Sequence, residues 1–287
     1  MIDSLKSIIM KRIVEVISFV LVMAVINVSC SNEKSWPICP TFFEVQYVAH
    51  ARYFNDSLVE NSLPLFRFLV EEQNYHIIEC DVVFTKDDVP VLMHSTNIRE
   101  LAKTNNSNDS HERLEVDGLS YAELLKFDFS NGGGYFLRIS TLEELIKYAK
   151  NKNVCVQMDL QKYVFSKTQI RILYDIVKRI GMTNKVIWEV SDPNLETVTS
   201  IDKSLIIQLD QKWDKSLIDK LKKQREKAGL IILSNWFANF DDIDYKDVIN
   251  YGHENGFLMK CSIVNDSFIA NQLFNMGVDL IVTDCLQ

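Results

Sequence analysis

Three absences narrow the reading of this chain before any motif is considered. An excess of positive charge is missing: 31 Lys and Arg stand against 39 Asp and Glu, for a net charge of −8. A nucleic-acid binder needs a basic face to neutralise phosphates, so no nucleic-acid partner is expected. A small phosphate-bearing ligand remains open, because a bound divalent cation inverts the local field. CxxC and the Cys/His spacings of zinc sites are also absent. Finally, no GxGxxG follows the first strand-like run, which removes the main support for a dinucleotide-binding open sheet. What is present is a 47% hydrophobic composition with ordinary charge density over 287 residues, enough for one large domain or two small ones.

The N-terminus reads as a targeting segment. Lys6, Lys11 and Arg12 precede the apolar run Ile13 to Val28, which leads into Val28-Ser29-Cys30. A basic n-region, a short apolar region and small residues describe a secretory signal. A Cys at its end resembles a bacterial lipoprotein site, with Cys30 acylated as the first mature residue. The expectation is therefore export to the bacterial cell envelope, on the periplasmic side or the cell surface, with a lipid anchor on Cys30. Plain secretion and a permanent membrane anchor are the alternatives, although the run is short for a span of about 20 residues. Residues 1–30 form the signal, 31–40 a tether, and 41–287 a single domain. Five cysteines remain, and Cys80, Cys155 and Cys261 sit in apolar runs, as small buried core residues do.

From Glu44 onward, strand-like runs alternate with amphipathic helices. The predicted strands are Val45–Ala49, Ile77–Val83, Val154–Leu160, Val186–Val190, Leu205–Leu209, Leu230–Leu233, Leu258–Ile263 and Leu280–Thr283. The predicted helices are Glu60–Glu72, Ser120–Phe127, Leu142–Lys150, Lys167–Ile180, Asn194–Ile201, Lys215–Ala228, Tyr245–Asn255 and Asp266–Met276. Residues 95–138 read as irregular and polar. Strict alternation argues for parallel strands joined by helices, and eight of them can close into a (β/α)8 TIM barrel. A doubly wound open sheet is the rival.

The densest chemistry lies between Ile77 and His94. In a strand the side-chain period is two, so Glu79 and Asp81 share a face. Two carboxylates beside a buried run need a cation or a hydrogen-bond network. Lys86-Asp87-Asp88-Val89 reads as a two-residue hairpin turn, and the hairpin extends the second strand. That register pairs Lys86 with Val89 and sets Asp81 across from His94, with Cys80, Val82, Leu92 and Met93 buried on the other side. His50, Asp159, Glu189, Asn235, Asn265 and Asp266 also fall at or just beyond strand ends, where barrels of this class place their chemistry. Glu189 and Asn235 are read as supporting groups. Trp188, Trp213 and Trp236 suit a sugar or headgroup pocket, but large aromatics near strands are more often core and are read so, and His76, His111 and His253 read as surface residues.

In order along the chain come His50-Ala51-Arg52, Glu60-Asn61, Glu79-Cys80-Asp81, Thr85-Lys86-Asp87-Asp88-Val89-Pro90-Val91 and His94, then Ile139-Ser140-Thr141-Leu142-Glu143-Glu144 and Gly277–Asp284. This series resembles the glycerophosphodiester phosphodiesterase family, within the phosphatidylinositol-phospholipase-C-like barrels, over residues 45–284. The resemblance implies cleavage of a glycerophosphodiester to glycerol 3-phosphate and an alcohol. It implies a divalent cation, Ca²⁺ or Mg²⁺, held by Glu79, Asp81 and Asp159, since hard oxygen ligands suit both ions. His50 and His94 would be the general acid–base pair, Arg52 and Lys162 would bind substrate, and Glu60 and Asn61 would support them.

The chain departs from the family pattern at four points. Ala51 separates His50 from its arginine. The strand Val154–Leu160 ends in Asp159-Leu160-Gln161 in place of Glu-x-Lys, and the following Lys162 is expected to point away. Asp88 replaces a turn glycine, and Cys261 stands where the family has a tryptophan. A catalytically degenerate barrel that binds phosphorylated lipid or glycan is the alternative reading. A glycosidase on the same barrel is the third, and would need facing carboxylates without a histidine pair.

Overall fold

The computed structural model describes residues 47–52, 58–100, 114–130, 135–225, 229–236 and 245–286, without the side chains of 223–225. The signal segment with Cys30, the tether, the loop at 105–110, His111 and Gly132–Gly134 lie outside the described residues.

Nine strands form in chain order: β1 (Tyr47–Ala49), β2 (Ile77–Phe84), β3 (Pro90–Leu92), β4 (Cys155–Leu160), β5 (Val186–Val190), β6 (Ile206–Asp210), β7 (Leu230–Trp236), β8 (Leu258–Ser262) and β9 (Leu280–Thr283). Their order is β1-β9-β8-β7-β6-β5-β4-β2-β3, and β1 also pairs with β2 through Ala49 and Ile78. That pairing closes eight parallel strands into a barrel. β3 is the exception, running antiparallel to β2. The closed barrel expected from the alternation is the fold observed, and the open sheet is excluded.

The helices on its outside are α1 (Leu63–Arg67, continued by a π turn over Phe68–Glu72), α2 (Tyr121–Leu124), α3 (Leu142–Lys152), α4 (Lys167–Ile180), α5 (Asp192–Ile201), α6 (Lys215–Arg225), α7 (Tyr245–Glu254) and α8 (Ser267–Met276). Local chemistry sets their starts. Thr141 and Glu144 form a reciprocal capping box on α3, as do Ser166 and Gln169 on α4, satisfying backbone donors that the first turn leaves unpaired. Asp266 caps α8 by accepting from the backbone N–H of Phe268 and Ile269. The first helix starts later than predicted, at Leu63 after the cap Ser62. Glu60 and Asn61 are thereby left in the preceding loop, where they can reach the barrel mouth.

Strand alternation separates the two sides of the barrel wall. Ile78, Cys80 and Val82 of β2 and Val156, Met158 and Leu160 of β4 join the apolar layer shared with the helices. The residues between them, Glu79, Asp81, Gln157 and Asp159, therefore turn inward. The predicted buried cysteines Cys80, Cys155 and Cys261 are all buried. The insertion after β3 is less polar than its composition implies: Ile98, Val116, Leu124, Phe129 and Ile139 form a second apolar cluster with Val83, Val91 and Met93.

The hairpin register differs from the expected one. Val82 pairs with Leu92, Val83 with Val91 and Phe84 with Pro90, so Asp81 faces Met93, whose N–H donates to the Asp81 carbonyl at 3.2 Å. The loop is three residues long, not two. The Thr85 hydroxyl accepts from the Val89 N–H at 2.9 Å and donates to Asp87 at 2.7 Å, and Asp88 takes the left-handed conformation with φ 57°. This matches the hairpin whose loop ends in one αL residue. One residue of slip puts Leu92 in place of Met93 opposite Val82, and Met93 joins the second cluster.

Candidate active site

The C-terminal strand ends enclose one cavity of about 470 Å³, lined among others by His50, Arg52, Glu79, Asp81, His94 and Asp159. Each predicted site residue lies at or beside it. Glu79, Asp81 and Asp159 offer carboxylate oxygens that all lie within 4.8 Å of one another. β2 and β4 are adjacent and in register, with Asp81 opposite Asp159, so the cluster is a direct product of strand pairing.

Burial makes this cluster costly. Burial pushes Glu79 up to about 8, with the charge of Asp81 adding to it, and pushes Asp159 up to about 6 in the same way. Two full charges at this separation repel by about 3.5 kcal/mol at an effective dielectric near 20. Among the described residues, the ion pairs that reach the cluster are Lys162 with Asp81 at 3.0 Å and His50 with Glu79 at 3.9 Å. Neutral donors hold the carboxylates in place. The Ala51 N–H donates to Glu79 Oε2 at 2.7 Å. Asn61, with φ 54°, donates from Nδ2 to Asp81 Oδ2 at 2.8 Å and accepts from the Asp81 N–H at 2.9 Å. The inserted Ala51 is thus buried and supplies a backbone donor to Glu79.

The two histidines have different settings. His50 follows β1, and its Nδ1 lies 2.6 Å from Asp284 Oδ1, while Asn265 Nδ2 donates to Asp284 Oδ2 at 2.8 Å. Burial disfavours the charged imidazole of His50, but the Asp284 bond with Glu79 and Asp81 outweighs it and raises its pKa. His94 reaches the cavity from the bend after β3, not as the cross-strand partner of Asp81 that the two-residue turn implied. Its Nε2 accepts from Arg52 Nη1 at 3.3 Å, and burial, then the nearby cations, lower its pKa against the pull of Asp81.

The two cationic residues placed in doubt by the sequence both arrive. Arg52 lines the cavity, and its Nε lies 3.3 Å from Glu60 Oε2. Lys162 was expected to point away by strand alternation. β4 ends at Leu160, so the two-residue period no longer applies, and the ammonium turns in to Asp81.

Beneath the cavity lies a polar layer of which the sequence reading caught only Glu189. Lys260 of β8 is fully buried and donates to Gln157 Oε1 at 2.7 Å and Gln208 Oε1 at 2.8 Å. Gln157 and Gln161 both donate to Glu189. Burial lowers the Lys260 pKa against the opposing pull of Glu189 and Asp210. A lysine in the middle of Leu258–Ser262 was the available signal. Asp284 was also missed, although it ends the strand beside β1. Trp188 and Trp213 are core, as predicted; Trp236 is not, being 52% exposed at the cavity edge.

The fold is shared with a phosphodiesterase from Oleispira antarctica, solved with the product sn-glycerol-3-phosphate (TM-score 0.67, 18% identity, 84% of this chain and 93% of that one). It is shared as well with glycerophosphodiester phosphodiesterases from Parabacteroides distasonis (TM-score 0.64, 20% identity, 83% and 92%) and Thermotoga maritima (TM-score 0.61, 17% identity, 84% and 94%). No curated protein matches the chain. The model of the glycerophosphoryl diester phosphodiesterase family matches residues 49–287, so the chain belongs to that family of phosphoric diester hydrolases.

Proposed function

We propose that the chain hydrolyses glycerophosphodiesters to glycerol 3-phosphate and an alcohol, using Ca²⁺ or Mg²⁺ at Glu79, Asp81 and Asp159. The observation that carries this reading is the convergence of three inward carboxylates, two histidines and two cationic side chains on one cavity. The donor set fits such an ion: all three ligands are hard oxygens, and their buried charge exceeds what Lys162 and His50 offset. When bound, the ion polarises a phosphoryl oxygen and balances charge that develops at phosphorus.

The remaining chemistry belongs to the chain's own side chains. Arg52 presents a planar fork suited to two phosphate oxygens, and Lys162 adds a point charge beside Asp81. Asp284 holds His50 by Nδ1 and leaves Nε2 to exchange a proton with substrate. His94 presents Nε2 to the cavity, where it accepts from Arg52 Nη1. One imidazole takes the proton of the attacking hydroxyl or water, and the other gives one to the leaving alkoxide. The product bound by the Oleispira antarctica neighbour is the product expected here.

The degenerate-barrel alternative rested on the Ala51 insertion and on Gln161, and Arg52 and Lys162 both reach the cavity despite them. Hydrolysis of glycerophosphocholine, stopped by EDTA and restored by Ca²⁺ or Mg²⁺, tests the proposal. Turnover that is indifferent to chelation would remove the metal from it. We also propose that Cys30 anchors the protein in the cell envelope, on the evidence of the N-terminal sequence. Labelled fatty acid should enter the wild-type chain and not Cys30→Ser.

A further inference from the structure

The cavity has two chemically different walls. In the closed strand order, β6 lies four strands from β1, and β7 four strands from β2. The ends of β6 and β7 therefore face His50, Arg52, Glu79 and Asp81 across the mouth. β6 ends in Asp210 and β7 in Trp236, and both line the same cavity as the histidines. Asp210 is in register with Ser234, two residues before Trp236, so Asp210 and Trp236 share the inward parity at the tops of adjacent strands.

Neither side chain is used up by the fold. A tryptophan left 52% exposed, while Trp188 and Trp213 are buried, has an indole surface that packing does not consume. Asp210 takes a long hydrogen bond from Gln208 Nε2 at 3.4 Å and belongs to no ion pair among the described residues. The ammonium of Lys260 is committed to two glutamine oxygens below.

We propose that Asp210 and Trp236 form a subsite for an ammonium group carried by the leaving alcohol. The proposal rests on the hydrolytic reading of the site, which puts phosphate against Arg52 and Lys162 on the opposite wall. An indole face attracts a cation better than the other aromatic rings do, and the half-buried Asp210 carboxylate on the adjacent strand supplies the countercharge. A diester whose alcohol ends in an ammonium then meets opposite charge at both ends. A neutral polyol offers Asp210 hydrogen bonds but no further cation.

The test compares three diesters, glycerophosphocholine, glycerophosphoethanolamine and glycerophosphoglycerol, by steady-state kinetics and by calorimetric binding in the presence of Ca²⁺ or Mg²⁺. The ammonium diesters should exceed the glycerol diester by about fivefold in kcat/KM, in line with a cation–π contact at a half-exposed ring. The ratio should fall toward one in Asp210→Asn and in Trp236→Leu, and persist in Asp210→Glu. The choline and ethanolamine arms separate a methylated from a primary ammonium, and a preference for either supports the subsite. Equal kcat/KM for the ammonium and glycerol diesters, or a ratio unmoved in both Asp210→Asn and Trp236→Leu, overturns the subsite and leaves the hydrolase reading standing. If no diester turns over, the hydrolytic reading fails and calorimetry decides the subsite: glycerophosphocholine bound about fivefold more tightly than glycerophosphoglycerol supports it, and equal binding overturns it.

Discussion

The two sides of the barrel mouth hold charge in opposite ways. The β1–β2 side leaves it unbalanced: two buried carboxylates and the half-buried Asp159 meet one ammonium and one imidazole. The layer that β4, β5, β6 and β8 contribute is closed on itself, with Lys260 satisfied by two glutamine oxygens and Glu189 by two glutamine amides. An open charge deficit is what a site kept for a ligand looks like, whereas a satisfied buried network is a structural support. Removing a group from each side should therefore have different consequences.

The largest expected effect is on turnover. His50→Ala should lower kcat by about 10³-fold, the usual worth of a general acid–base group, with urea unfolding close to wild type. Lys260→Met should do the reverse in emphasis. It leaves Glu189 uncompensated and two glutamine oxygens unpaired, and should cost about 3 kcal/mol in urea unfolding. Equal loss of stability in the two variants would erase the distinction between the sides.

The next effect is ligand-linked. Saturating Ca²⁺ or Mg²⁺ should raise the unfolding midpoint, by the equivalent of about 2.7 kcal/mol at a hundredfold excess over Kd. Differential scanning calorimetry should show this shift in wild type and in Lys260→Met, and not in Asp81→Asn. A shift that survives in Asp81→Asn would place the ion elsewhere.

The smallest effect lies at the far end of the barrel. His253 Nε2 lies 2.9 Å from Asp279 Oδ2, a hydrogen bond that raises the His253 pKa above its ordinary 6.5. The folded state then holds the proton more tightly than the unfolded chain. The stability so gained is complete below pH 6.5 and is lost as pH rises through the raised folded value. His253 is partly exposed, so the change is modest, and His253→Gln should flatten the unfolding midpoint between pH 6 and 9 relative to wild type.

How far the site could be read from sequence follows the same division. The β1–β2 side is carried by short contiguous stretches, and there the two-residue period alone puts Glu79 and Asp81 on one face. The strand pairing of β4 then delivers Asp159, as expected. The other layer takes single residues from separate strands, Gln157, Glu189, Gln208 and Lys260, and no local spacing links them. Where prediction failed near the motif, a period was used past its limit. Lys162 lies beyond the last strand residue, and Asp88 in the left-handed conformation lengthens the hairpin loop by one residue, which moves His94 off the ladder.

The amino-acid sequence by itself determined the alternation of strands and helices, the inward acids of β2, the family, and the residues that could do acid–base and metal chemistry. Those properties depend on periodicity and side-chain type within a few residues of chain. Only the tertiary structure decided that Asp284 orients His50, that Arg52 and Lys162 reach the cavity despite their displaced positions, and that Asp210 and Trp236 stand across the mouth from the phosphate side. Each of these depends on barrel closure, which brings β1 beside β9 and sets β6 and β7 opposite β1 and β2.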